Sequence, residues 1–361
     1  MKKRVIDTNK FLEKNEKINE KELEIEKTEK KGKVGSIFSF HKTIKNVGLD
    51  DFKIIRVIGR GSYGKVCLVQ YKQPNDLYAL KSLKKDVLLD EDQIESTLLE
   101  KNILQSLNHP FLVGMVFCFQ TEERVYFVLP LVRGGELFIH LREDKYFSEQ
   151  KVKFYASIIG LALNYLHKNG IVYRDIKPVN ILLDENGYLK LIDFGMAKIL
   201  RDGEKANSFC GTPEYLSPEI ITGEGHNRMA DRWSYGTLVY EMLFGIPPFF
   251  CDNVERMYKL ITKVELRFPK KFHNKISENA KDLLKKLLVK NQKERFGING
   301  GFDEISKHPF FKGMDLKALE EKNLKHLLNQ FWKILLMLEI LMKNLLPKIW
   351  FLVKFQKKIW N

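Results

Sequence analysis

Cysteine is scarce, at four in 361 residues, and Cys67, Cys118, Cys210 and Cys251 lie far apart with no metal-ligand spacing. Free thiols in a reducing compartment are therefore expected. No apolar run follows Met1-Lys2-Lys3-Arg4, so no signal peptide is expected, and no apolar stretch reaches the length that crosses a bilayer. Internal repeats and recognisable nucleic-acid motifs are also missing. Nucleic acid is thus not an expected partner, although the formal charge of +15 would permit acidic ones. A cytoplasmic monomer is the expectation.

What is present is a chain that can fold. Apolar residues make up 44%, which excludes global disorder, and the length suits one large domain or two lobes around a shared cleft. Residues 1–51 are dominated by Lys and Glu, and a disordered extension is expected there. From Phe52 the texture turns β-rich, and the chain reads as ordered to about Phe311.

Gly59-Arg60-Gly61-Ser62-Tyr63-Gly64 is followed by Lys65-Val66. Alone, this GxGxxG is weak, since dinucleotide-binding turns use the same spacing from strand into helix. Here Phe52–Ile58 and Lys65–Gln70 both read as strands, so the loop joins two strands. A glycine-tipped hairpin can lay backbone N–H groups over triphosphate oxygens because no Cβ obstructs the approach. Tyr78-Ala79-Leu80-Lys81 reads as a third strand ending in a phosphate-pairing lysine. Asp90–Leu107 reads as a helix whose Glu100, Ile103, Leu104 and Leu107 share a face. A carboxylate on an apolar face needs a partner against desolvation, and Lys81 is the candidate.

The strongest signal is Tyr173-Arg174-Asp175-Ile176-Lys177-Pro178-Val179-Asn180 before a hairpin that delivers Asp193-Phe194-Gly195. Phosphoryl transfer needs few covalent events and many positioned charges. Asp175 can orient the substrate hydroxyl, Lys177 can sit against the γ-phosphate, and Asn180 and Asp193 offer hard oxygen ligands for Mg2+.

At these residues the chain resembles the eukaryotic protein kinases, specifically the AGC group that includes protein kinases A, B and C. Further matches are Ser208–Tyr215, Ser217-Pro218-Glu219, Asp231-Arg232-Trp233 and Arg295-Phe296-Gly297. The resemblance covers about Phe52 to Phe311. It implies an α+β bilobal fold, with a small β-rich N-lobe at about 52–130 carrying one key helix and a large, mainly helical C-lobe at about 131–311. It also implies ATP as phosphoryl donor, bound by Ile58 to Val66, Ala79, Lys81, gatekeeper Leu129, hinge residues Pro130 to Val132, Glu136 and Leu182. Glu219 would pair with Arg295. Ser208 occupies the activation-loop position, where an upstream kinase would add a phosphate clamped by Arg174 and Lys198. Glu136 and Glu241 match positions that receive arginines upstream of the phosphorylated serine or threonine.

Three departures from the family pattern are visible. Val179 replaces a glutamate that receives a substrate arginine, Ile192 a threonine, and Ser96 a basic residue. None belongs to the phosphoryl-transfer set, which speaks against a pseudokinase. Residues 312–361 correspond to the AGC tail, but after about Lys325 the text becomes Leu, Ile, Trp and Lys with Glu339 as its single acid. Two readings stand: a lipid-binding amphipathic segment, or a frame-shifted tail, which the composition break favours. The shifted frame would leave Ile94 and Leu98 uncovered.

Overall fold

A computed structural model describes residues 47–61, 64–73, 75–86, 91–272 and 274–322. Ser62, Tyr63, residues 1–46 of the charged extension and the unusual tail after Lys325 lie outside the described residues. The chain divides into two compact units, one formed by residues up to 106 with 114–131, the other by 107–113 with the residues from 132 onward.

The first unit is a five-stranded sheet with one long helix. Strands β1 (Phe52–Gly61), β2 (Gly64–Tyr71), β3 (Leu77–Lys84), β4 (Phe117–Gln120) and β5 (Arg124–Pro130) lie in the order β1-β2-β3-β5-β4. Neighbouring strands in that order pair antiparallel. Alternation along β2 and β3 follows the pleat: Cys67, Val69 and Leu80 turn one way and join Phe52, Tyr126 and Val128 in a core. Cys67 serves there as a small apolar side chain. Stacked rings close this core, with Phe119 5.9 Å from Phe52 and 4.9 Å from Tyr126. Helix α1 (Glu91–Ser106) buries Glu100, Ile103 and Leu104. The expected shared face is therefore real, although Leu107 falls just past the helix end.

The second unit is mainly helical. Its helices are α2 (Leu137–Asp144), α3 (Glu149–Lys168), α4 (Pro218–Thr222), α5 (Arg228–Phe244), α6 (Val254–Lys263), α7 (Glu278–Leu287), α8 (Gly301–Ile305) and α9 (Leu316–Glu320). Short strands β6 (Ile171–Val172) and β9 (Lys198–Ile199) pair, as do β7 (Ile181–Leu183) and β8 (Leu189–Leu191). The sequence marks the helix ends with cap residues. Ser148, Asn227, Asn253, Ser277 and Asp315 each accept a first-turn backbone N–H, and α5 stops at Gly245 with φ +84°. Nearly every residue of α5 is buried, Trp233 completely, which makes this helix the unit's core. Gly160 lets α3 approach α8, because a Cβ there would lie 2.0 Å from the Phe302 ring. No helix among the described residues is long and apolar enough to cross a membrane.

Candidate active site

In the first unit the glycine loop does join two strands, and the register Gly61↔Gly64 closes its base. The glycines differ in what requires them. A Cβ on Gly64 would lie 2.0 Å from the Ser82 carbonyl oxygen, so the neighbouring strand demands this glycine. Gly59 would meet only Val66 at ordinary contact distance, and Gly61 would meet nothing, so these two leave their surroundings open.

Strand register collects the remaining nucleotide candidates. Val66 lies opposite Lys81 and Ala79 opposite Leu129, so all four share the sheet face turned away from Cys67, Leu80 and Val128. Tyr78 lies opposite Pro130, Arg60 opposite Lys65, and Ile58 is exposed. Lys81 Nζ donates to Glu100 Oε1 at 2.5 Å, with the carboxylate nearly buried. This ion pair answers the desolvation problem that the sequence poses for Glu100.

In the second unit the catalytic candidates meet over a few ångströms. Asp175 is 7% exposed. Its Oδ2 accepts from Asn180 Nδ2 at 2.7 Å and lies 2.8 Å from Lys177 Nζ, while Oδ1 accepts from Thr212 Oγ1 at 3.2 Å. Lys177 Nζ also donates to Thr212 Oγ1 at 3.0 Å. The cluster fixes the direction of the Asn180 amide. Its nitrogen donates to both the side chain and the backbone carbonyl of Asp175, so Oδ1 remains as the acceptor. That oxygen and the Asp193 carboxylate are both hard donors, the type of ligand that Mg2+ takes. Among the described residues no group of three His, Cys, Asp or Glu side chains gathers to hold a metal alone. Asp193 Oδ1 accepts from the Gly195 N–H at 3.2 Å, which orients its carboxyl.

Behind the loop that carries Asp175 lies Asp231 on α5, completely buried. Its carboxylate accepts from the backbone N–H groups of Tyr173 at 2.9 Å and Arg174 at 2.8 Å, and from His167 Nε2 at 2.7 Å. Burial pushes the Asp231 carboxyl up, but the His167 bond and the two backbone donors outweigh it and hold the group below its ordinary value. His167 is itself driven down, by burial first and then by the Arg232 charge, so its neutral ring donates through Nε2.

Residues 52–311 match the family described as "Protein kinase domain". The chain belongs to the protein kinase family. Its relatives place it in the AGC group. Protein kinase 2 of Dictyostelium discoideum is 46% identical over 286 residues, covering 79% of this chain and 59% of that protein. The RAC family serine/threonine-protein kinase homolog of the same organism is 44% identical over 285 residues, covering 78% and 63%. The serine/threonine-protein kinase Sgk3 of Rattus norvegicus is 42% identical over 296 residues, covering 79% and 59%. The chain thus spans about three-fifths of the length of these relatives.

Other residues of this kinase domain are placed as follows. Glu219 and Arg295 form the expected pair, bidentate at 2.7 and 2.8 Å and almost wholly buried. Arg174 donates to Ser208 Oγ at 2.6 Å and to the Met196 carbonyl at 2.6 Å. Lys198, expected beside it, is exposed on β9, and no bond from it to Ser208 appears among the described residues. Leu182 bridges Glu136 through the backbone, and both are half-buried, as is Val132. Glu241 accepts the Tyr215 hydroxyl and is pushed up to about 7 by burial, with the nearby Glu214 charge adding to the effect. Two further residues, to which their sequence motifs assign no role, join the site. Thr212 bridges Asp175 and Lys177, and Asp231 holds the loop backbone.

Proposed function

We propose that this chain transfers the γ-phosphoryl group of ATP to serine or threonine hydroxyls of protein substrates. The observation that carries the reading is the cluster of Asp175, Lys177, Asn180 and Thr212, in which one nearly buried carboxylate is aimed by three donors. Asp175 accepts the hydroxyl proton as the substrate oxygen bonds to the γ-phosphorus and the bond to ADP breaks. Lys177 stabilises charge on the transferred group, and Thr212 holds Asp175 and Lys177 in register. Asn180 Oδ1 and Asp193 would hold Mg2+, which neutralises phosphate charge when bound.

In the first unit, Gly59, Arg60, Gly61, Ser62, Tyr63, Gly64 and Lys65 cover the nucleotide. Lys81 pairs with its phosphates under the hold of Glu100, and Ile58, Val66, Ala79 and Leu129 supply apolar contacts. Pro130 and Val132 flank the segment whose backbone binds adenine, with Glu136 and Leu182 beyond it. The N-lobe runs over about 52–130 and the C-lobe over about 131–311. Substrates carry arginine three residues before the acceptor, received by Glu136. An upstream kinase acts on Ser208, whose hydroxyl already sits on the Arg174 guanidinium.

Purified full-length chain with Mg-ATP and a basic serine peptide tests the reading, with Asp193→Ala as the control. Transfer by the wild type is expected and should be lost in the control. In Asp175→Asn, ATP binding should persist while transfer falls by at least about 1,000-fold. Near-normal transfer by Asp175→Asn would remove the assignment. Absence of transfer by a wild type verified as phosphorylated on Ser208 would point to a kinase-shaped binding protein.

A further inference from the structure

One end of the second unit carries charge and apolar surface that phosphoryl transfer does not use. Three segments converge there: Lys145–Phe147 after α2, the end of α5, and residues 270–272 with 274–275. Phe147 N–H donates to the Met242 carbonyl at 2.8 Å. A Cβ on Gly245 would lie 2.1 Å from the Lys145 carbonyl oxygen, so only glycine lets α5 end against that turn. The Tyr146 ring meets Phe272 edge-on at 4.9 Å, and Phe272 packs on Phe244 at 5.2 Å.

The outer surface of this junction is basic with apolar side chains set among the lysines. Lys145, Lys270, Lys271 and Lys275 are all exposed, Lys275 Nζ stands 5.9 Å from the Tyr146 ring centroid, and Lys271 Nζ 5.0 Å from that of Phe272. Tyr146 is 39% exposed and Ile246 52%. The acids close by in sequence are partly committed. Asp144 pairs with Lys151 at 3.1 Å, and Glu149 accepts from both Ser277 N and Ser277 Oγ. Glu143 is exposed and subtracts one charge.

We propose that this face docks on an anionic phospholipid surface. Four lysines match the negative headgroups, while Ile246 and the amphipathic Tyr146 ring enter the boundary between headgroups and acyl chains. The exposed isoleucine and tyrosine favour lipid over nucleic acid, whose phosphates would use the lysines and leave Ile246 wet.

Co-sedimentation of the full-length chain with phosphatidylcholine vesicles, with and without phosphatidylserine, tests the proposal. Wild type should bind only the phosphatidylserine vesicles, less as salt rises. Lys270→Glu/Lys271→Glu/Lys275→Glu should weaken that binding at least about tenfold, and Ile246→Asp at least about threefold. Lys285→Glu/Lys293→Glu/Lys307→Glu changes net charge equally on other exposed lysines and should cost less than about threefold. Peptide phosphorylation and circular dichroism confirm that each variant folds. The proposal is overturned if wild type ignores phosphatidylserine, if both triple variants lose binding equally, or if neither does. Tighter binding to duplex DNA at the same salt would also overturn it.

Discussion

Asp231 holds the backbone of Arg174 in a left-handed conformation. Arg174 has φ +67°, which costs an L-residue about 1–2 kcal/mol, and its N–H is bound at 2.8 Å by the Asp231 carboxylate on α5. The next residue is Asp175. A buried helix therefore sets where the carboxylate proposed as catalytic points.

Asp231→Asn should consequently impair transfer without removing any group that touches substrate. An amide offers one acceptor oxygen where the carboxylate offers two, so the two backbone N–H groups and His167 compete for it. Because a misplacement of about 1 Å can cost 100-fold, kcat should fall about 30- to 100-fold. The KM for ATP should change less than about threefold. Stopped-flow phosphorylation of a peptide at saturating ATP checks this. An unchanged kcat would show that the loop holds itself.

The glycine hairpin and the Lys81–Glu100 pair were legible because strand alternation, helix spacing and an uncompensated charge each leave a local mark, whereas the Glu219–Arg295 pair, 76 residues apart, was implied only by the family resemblance. The placement of Thr212 was not, since it lies 37 residues from Asp175 and its hydroxyl looks like that of any loop threonine. Asp231 left a faint signal, a carboxylate on a helix rich in Trp, Tyr, Leu, Val and Met. Nothing in one dimension says which backbone it serves. Gly64 was read for phosphate access, yet Ser82 on the adjacent strand is what forbids a side chain there. Lys198, which the resemblance offers as a clamp for a phosphate on Ser208, lies exposed on β9, where pairing with β6 sets its place.

Arg295→Ala should be the most damaging single change outside the cluster around Asp175. It leaves Glu219 buried without its bidentate partner and also frees the carbonyls of Met229, Val289 and Lys290. Losing one partner of a buried pair costs about 3–5 kcal/mol. The urea midpoint of Arg295→Ala should drop accordingly, and a second change, Glu219→Gln, should recover part of the loss. No recovery in the double variant would mean that the freed carbonyls, rather than the stranded charge, dominate.

Glu241 gives the fold a pH dependence of definite sign. Its carboxyl is pushed up to about 7 from an ordinary 4.5, so folding favours the protonated form. Below the ordinary value both states are protonated and the residue costs nothing. As pH rises through about 4.5 to 7 the unfolded chain ionises first, and stability is lost progressively. Glu241→Gln keeps an acceptor for the Tyr215 hydroxyl and removes the titration. The variant should gain about 1–3 kcal/mol over wild type between pH 5 and pH 8, read from denaturant melts. A stability difference independent of pH would mean that Glu241 titrates normally.

Peptide preference should be lopsided. Glu136 is half-buried and available, Val179 brings no carboxylate, and Glu241 is committed to Tyr215 and protonates near neutrality. Arginine three residues before the acceptor should be favoured by about 10- to 100-fold in kcat/KM, the worth of one charge-assisted hydrogen bond. Arginine two residues before should gain less than about fivefold. Val179→Glu restores a carboxylate to the groove and should raise the second preference without changing the first. Degenerate peptide arrays on the wild type and this variant measure both. A wild type indifferent to arginine at the third upstream position would refute the assignment of Glu136. A Val179→Glu protein with an unchanged profile would show that the second position is set elsewhere.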